Sequence, residues 1–333
     1  LMLLVISAIL AQFIPSQTSI IIIMMTFMMS MGNTGEVTMS RMLLPITHVL
    51  TTWMGKFPVG AFGVTMYLML NQFIEASGSD KLLDIFSILK CTFIPAVVSI
   101  IYCVMTYKWL PKRDVDTSLY EDQKRSSDTV KMSKRNEIIT YISFIVSVLA
   151  LIFTNQIGDK AYIVPLATVV VMIYLKAMDG KKFLRVLING PVLMCATVIG
   201  IANAITASGA GEVIGNSILS VLGGDPSPIL IIVTFAVVAL IVTSFVSNTA
   251  CFMVLVPIAC NVCAVAGVDP RAVVVTIYYC SLLSLLTPMD STGAALAYSS
   301  SGLGIRDTFK WAFPLAILGV AVTIINCLIV YPM

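Results

Sequence analysis

Charge is what this sequence has least of. Only 11% of its 333 residues are charged, against roughly 25% in a soluble globular domain, and that deficit excludes an ordinary water-soluble protein. Histidine occurs once, which rules out a His-Glu-x-x-His zinc hydrolase; there is also no Gly-x-Ser-x-Gly elbow and no pair of intramembrane aspartates, so an intramembrane enzyme finds no support. The net charge of +3 is spread over short loops and offers no basic face, so nucleic acid is not a partner. The eight cysteines lie within apolar runs, where a thiol packs as a small hydrophobe, and no disulfide framework is expected. Cys260 and Cys263 in "CNVC" have no second pair or histidine cluster beside them and read as a packed helix face. The opening "LMLLVISAILAQF" lacks both a basic start and a small-residue cleavage site, so it reads as the inside of a longer arrangement rather than a signal peptide.

What fills the space left by charge is apolar sequence, 58% of the chain. Candidate membrane segments are Leu1 to Phe13, Ile20 to Met31, Met42 to Ile74 broken near Pro58, Leu83 to Leu110, Ile138 to Thr154, Tyr162 to Lys176 and Leu187 to Ala207. Then come Ile229 to Val246, Ala250 to Ala266, Ala272 to Ser300 broken near Pro288, and Trp311 to Tyr331. A helix needs about 20 apolar residues to cross a bilayer, and no alternating pattern of barrel strands is present. The chain is therefore an all-α polytopic membrane protein of the cell membrane, in contact with lipid. Several segments are too short to cross alone.

Residues 108 to 137 form the one long polar stretch, with eight Lys/Arg and six Asp/Glu. The positive-inside rule makes it cytoplasmic, and it divides the chain into a first repeat at 1–110, a cytoplasmic loop at 111–137 and a second repeat at 138–333. The basic "DGKKFLR", Asp179 to Arg185, falls two spans later and is again expected inside. Propagating this orientation, the first hairpin enters from the cytoplasm and the second from the exterior. Each repeat reads as re-entrant hairpin, broken helix and full helix, in opposite orientations. Inverted repeats of this kind place a midplane site between discontinuous helices.

Each hairpin carries a polar tip between apolar arms: Ser16-Gln17-Thr18 in the first and Ser247-Asn248-Thr249 in the second. Helix ends meeting at such a tip present backbone N–H and C=O groups that bind an anion or coordinate a cation. A lone Ser or Thr would merely bond back to its own helix; two tips at corresponding places argue for more. The broken helices add Gly55, Pro58, Gly60 and Gly63 on one side, and Thr287, Pro288, Ser291, Thr292 and Gly293 on the other. Irregular backbone at membrane depth survives only when buried or lining a cavity. One ionisable residue sits in each break, Lys56 and Asp290. An intramembrane charge costs about 2.5 to 3.5 kcal/mol, which makes both candidates for a charge pair or a proton site. His48 and Glu75 read as interfacial.

These residues resemble the divalent-anion sodium symporters. The similarity is carried by "SFVSNTACFMVLVPIA", "MSRMLLPITHVL", "LLTPMDSTGAALAYSSSGLGIRDTFKWAFPL" and "VLINGPVLMCATVIGIANAITASGAG", and it extends over nearly the whole chain. The resemblance implies an elevator-type transporter, a homodimer in which a transport domain moves against a fixed scaffold. It implies that Ser16, Gln17, Thr18, Ser247, Asn248, Thr249, Thr287 and Pro288, with Lys56, receive a small anionic substrate, a di- or tricarboxylate. It implies sodium, the coupling ion, at Thr243, Ser247, Asn248, Thr287, Ser291, Ser16 and Gly60, with no other cofactor. The first tip has Gln17 where that family has Asn, and Lys56 falls where a cation is expected, so its ammonium stands in for one sodium ion or meets the substrate. Four scaffold spans of that family, roughly 100 residues at about 20 to 25 each, would precede the first hairpin. Other readings are a sulfate or arsenite transporter of the same superfamily, a proton-coupled variant, and a membrane subunit without transport activity of its own.

Overall fold

A computed structural model describes residues 1–14, 16–31, 37–58, 61–113, 133–152, 163–181, 183, 197, 200–201, 204, 207–224, 226–283 and 285–333. Every regular element among them is a helix. Most of the segment expected at Leu187 to Ala207, most of the 111–137 loop and Gly60 lie outside the described residues. The chain forms two compact units, one of residues 1–122 and 198–333, the other of residues 123–197. In the smaller unit, α6 (Lys134–Ile152) and α7 (Val164–Tyr174) pack together, joined by the hydroxyls of Ser147 and Thr168 at 2.8 Å.

The larger unit begins with α1 (Met2–Phe13) and α2 (Gln17–Met31), followed by α3 (Met39–Trp53), α4 (Ala61–Ala76) and α5 (Ser87–Thr106, extended by a 3-10 turn to Trp109). After α8 (Ala210–Val221) come α9 (Pro228–Thr243) and α10 (Asn248–Ala266), then α11 (Pro270–Leu282), α12 (Thr292–Ser301) and α13 (Ile305–Val330). The breaks fall where Gly, Pro and polar residues interrupt the apolar runs, between α3 and α4 and between α11 and α12.

Length separates the elements. At 1.5 Å per residue, the 12 residues of α1 reach about 18 Å, well short of a hydrocarbon core about 30 Å thick. Among the described residues, α5 with its 3-10 turn, α10 and α13 are long and apolar enough to cross a membrane. The half-length arm expected of the second hairpin fits α9; α10, with 19 residues, has the length of a full crossing. Short α8 carries no signal of its own in the hydropathy pattern. It lies against α10 because Gly215 leaves room: a Cβ there would come within 2.8 Å of Val265 Cγ2.

Packing follows the same plan in both halves. The first arm of each hairpin packs on the first part of its own broken helix, α1 on α3 and α9 on α11, and these parts in turn meet α5 and α13. The second arms reach across: α2 contacts α12 and α10 contacts α4, while α3 meets α12 and α11 meets α4. The two full helices α5 and α13 pack on each other, each carrying an internal proline near its middle, Pro95 and Pro314. Because α3 is enclosed by neighbours, His48 is fully buried rather than interfacial, a correction that the packing forces. Glu75, near the end of α4, is exposed.

A polar cluster closes one end of the unit. Asp269 caps α11 through the Arg271 N–H at 3.0 Å and accepts the Arg271 guanidinium at 2.7 Å, with the Lys81 ammonium 3.6 Å away. Arg271 in turn lies 4.4 Å over the Tyr331 ring at the end of α13. Burial alone would raise the Asp269 carboxyl, but the hydrogen bonds and charge of Arg271, with Lys81 behind them, hold it below the usual carboxylate range. The stability it contributes is present above the carboxyl's unfolded pKa and is lost as pH falls through the depressed folded value. Asp269→Asn keeps the cap but not the charge. Thermal unfolding followed from neutral to acid pH should show a lower midpoint than wild type at neutral pH and a flatter acid slope; parallel curves would remove the ion pair's role.

The first break is tight enough to exclude one methyl group. A Cβ on Gly63 would sit 2.6 Å from the Phe57 carbonyl oxygen and 2.7 Å from that of Gly55, both backbone atoms. Gly63→Ala should therefore cost about 1 to 3 kcal/mol by overpacking, read as a lower unfolding midpoint. Gly200→Ala, where nothing among the described residues lies within 4 Å, is the control and should leave the midpoint unmoved.

Candidate functional site

The second tip is fixed by its own caps. Ser247 ends the non-helical link after α9, and its hydroxyl accepts the Ala250 N–H at 3.3 Å, starting α10. That leaves Asn248 in the first turn of α10, pointing inward and buried, while Ser247 is exposed and Thr249 half-buried. Thr243, four residues before the tip serine, is buried and donates its hydroxyl to the Ser281 carbonyl near the end of α11 at 2.8 Å.

Asn248 joins four pieces of chain at one point. Its backbone N–H donates to the Asp290 carbonyl in the second break at 3.2 Å. With the amide nitrogen turned inward, it donates to Thr243 Oγ1 at 2.8 Å, to the Ser281 carbonyl at 3.0 Å and to the Asp290 carbonyl at 3.3 Å. This orientation follows from the network, since the opposite one sets an amide oxygen against acceptors only. Thr287, also in the break, donates its hydroxyl to the Ser244 carbonyl. Ser291 caps α12 by accepting the Ala294 N–H at 3.1 Å. Pro288 and Ser291 are half-buried, and the Asp290 side chain is 1% exposed.

The first tip reaches the same break from another side. Ser16 Oγ gathers the Thr18 hydroxyl at 3.1 Å and the Ser19 hydroxyl at 2.8 Å. Gln17 lies against the first turn of α12, where a Cβ on Gly293 would fall 2.8 Å from its Oε1 and 3.1 Å from its Cβ. Both tips thus converge on residues 287–293, with half-buried Ser16, Gln17, Thr18, Thr249 and Thr287 on the accessible side and Thr243 and Asn248 beneath.

Lys56 belongs to a different neighbourhood. Its ammonium, 2% exposed, donates to the Thr92 hydroxyl at 2.7 Å and the Thr92 carbonyl at 3.1 Å in α5, and lies 4.3 Å from the centroid of the Tyr279 ring in α11. These partners are on α5 and α11 rather than on either tip. A charge pair with Asp290 is not among its observed contacts.

One residue that fastens the first break was not among the candidates. Gln12 donates through Nε2 to the Trp53 carbonyl at 2.6 Å, and its Oε1 accepts the Phe57 N–H at 3.3 Å, so α1 holds the first break as Thr243 holds the end of α11. The signal was present: Gln12 stands four residues before Ser16, as Thr243 stands four before Ser247.

Comparison with known proteins places the chain among transporters. An uncharacterized transporter of Methanocaldococcus jannaschii is 22% identical over 242 residues, 71% of this chain and 54% of that protein. The human solute carrier family 13 member 4 is 22% identical over 134 residues, 40% of this chain and 21% of that protein. The chain thus spans about half the length of the first relative and about a fifth of the second. The family model described as "Tripartite ATP-independent periplasmic transporter, DctM component" matches residues 61–331, from α4 through the second tip and second break to the end of α13. The divalent-anion symporters remain a resemblance in the motifs, whereas the family match covers most of the chain: this protein belongs to the DctM component family of tripartite ATP-independent periplasmic transporters.

Proposed function

We propose that the protein is a secondary active transporter of small anions, di- or tricarboxylates, coupled to sodium. The observation that carries this reading is the ring of oxygens around Asn248. Thr243 Oγ1 and the carbonyls of Ser281 and Asp290 all lie within 3.3 Å of one end of its amide. With nitrogen inward, the amide itself supplies the positive end of a dipole to three acceptors. Turned the other way, it adds a fourth oxygen that only the Thr243 hydroxyl can satisfy, at 2.8 Å, and the two carbonyls left facing it favour a cation between them. Hard cations take such oxygen sets, carbonyl and amide oxygens included. Sodium binding and amide rotation are therefore one event in this proposal, and the cation would tie α9, α11 and the second break together.

The accessible hydroxyls and amide at Ser16, Gln17, Thr18, Ser247, Thr249 and Thr287, with Pro288 shaping the break, supply donors for substrate carboxylates next to that cation. A carboxylate beside sodium and two helix N-termini, those of α2 and α10, is electrostatically favoured. The matched contacts of the two halves support the inverted repeat and, with it, elevator-type movement of the hairpins and breaks against the full helices. The family description names a tripartite system, so two further components are proposed as partners, in addition to a second copy of the chain. Among the described residues, membrane crossing is assigned to the three long helices, and the 111–137 loop is assigned to the cytoplasm on its charge.

Asn248→Ala and Thr243→Val each remove one oxygen from the ring without adding bulk. Sodium should raise the unfolding midpoint of the wild type, and each variant should need at least about tenfold more sodium for the same rise. Counterflow of labelled succinate, citrate, sulfate and arsenite in proteoliposomes, with and without the partner components, tests the substrate. Uptake of sulfate or arsenite alone would replace the carboxylate reading, and a sodium response unchanged in both variants would move the cation elsewhere.

A further inference from the structure

Lys56 is a buried amine whose observed partners include no carboxylate. The titratable groups facing it are Tyr279 of α11, Cys91 of α5 and Cys327 of α13, with His48 eight residues back in α3. None of these carries a negative charge to offset an ammonium, and charge without a partner is costly at this depth.

The geometry suits the amine in either protonation state. Thr92 gives its own hydroxyl proton to the Ile88 carbonyl at 2.6 Å, so both Thr92 oxygens are free to accept from Lys56. A neutral amine has two N–H donors, and the two Thr92 oxygens satisfy both. An ammonium has a third, which the π face of Tyr279 receives. Neither form leaves a buried donor stranded.

A polar seam leads to this position. His48, Thr52 and Lys56 are spaced four residues apart, and the Tyr279 hydroxyl lies beside those of Thr52 and Ser99. The Tyr279 and Ser99 hydroxyls and both His48 ring nitrogens are buried with no protein partner among the described residues. Buried polar groups are almost always paired, with water where protein does not serve. The seam is therefore suited to water, and water carries protons.

We propose that Lys56 is a proton-binding site of the transport cycle, charged when the anion occupies the tips and neutral when they are empty. This rests on the transport reading above. On loading, the amine lone pair forms an N–H bond with a proton delivered by water; on release that bond breaks and the proton returns to water on the other side. The positive charge then appears only when a dianion is present to offset it.

Calorimetric titration of the purified full-length protein with succinate, in buffers of different ionisation enthalpy, counts the protons taken up. Wild type should take up about one proton per succinate bound, in excess of any buffer effect. Lys56→Met should take up none. Lys56→Arg keeps a charge that does not leave, so it should bind succinate with no proton uptake and lose net uptake in proteoliposomes. Lys56→Arg carries the test if Lys56→Met fails to fold. Succinate binding by the wild type without protons overturns the proton site alone. So does unchanged proton uptake in Lys56→Arg, which would leave Lys56 a tether between the break and α5. A wild type that binds no succinate sinks the carboxylate reading, and this inference with it.

Discussion

Backbone that stops being helical inside a membrane has nowhere to send its hydrogen bonds except to the protein itself. The two broken helices and two hairpins of this chain create that demand in four places, and much of the remaining architecture answers it. Gln12 takes the Trp53 carbonyl and the Phe57 N–H; Thr243 takes the Ser281 carbonyl; Asn248 takes the Asp290 carbonyl. Tyr298 donates its hydroxyl to the Leu285 carbonyl and pairs with the Thr308 hydroxyl of α13. Together these groups tie the hairpins and a full helix to the two broken helices. On the proposed function, substitution at one of them would disturb ligand geometry and local stability at once.

This double duty explains why the polar residues are small and neutral. Ser, Thr, Asn and Gln reach a carbonyl across a helix contact without bringing a charge that would need its own partner. The same oxygens and amides that close the breaks are the donors and acceptors a cation or carboxylate can recruit by replacing a protein–protein bond. Asn248 is the clearest case, because one rotation of its amide exchanges a donor for an acceptor in a ring that is otherwise complete.

The sequence made the helices, the breaks and the tips legible because each is a local pattern: an apolar run, a Gly or Pro, a polar triplet in apolar surroundings. It did not reveal where each break is fastened. Lys56 meets Thr92 36 residues on and Tyr279 more than half the chain away, and no local pattern records such pairs. His48 was misplaced for a related reason, since a lone histidine in an apolar run looks interfacial until its helix is found enclosed by neighbours. Gln12 differs again: its offset from the tip matched that of Thr243 and could have been read by aligning the two halves on their serines.

The same alignment of halves isolates what is peculiar to Lys56. Lys56 lies three residues past the end of α3, and Leu285 three past the end of α11. Each position is linked to a threonine in the first part of the following full helix, Thr92 of α5 or Thr308 of α13. In the second half the link is a neutral phenol, Tyr298, bonded to a main-chain carbonyl, and nothing about it changes with protonation at ordinary pH. In the first half the link is an amine that donates directly to threonine. Holding a break against a full helix does not require an ionisable group, as the second half demonstrates. The extra property that an amine brings is a charge that can come and go, and its placement against an aromatic face and two fixed acceptors lets it do so without losing its grip on Thr92.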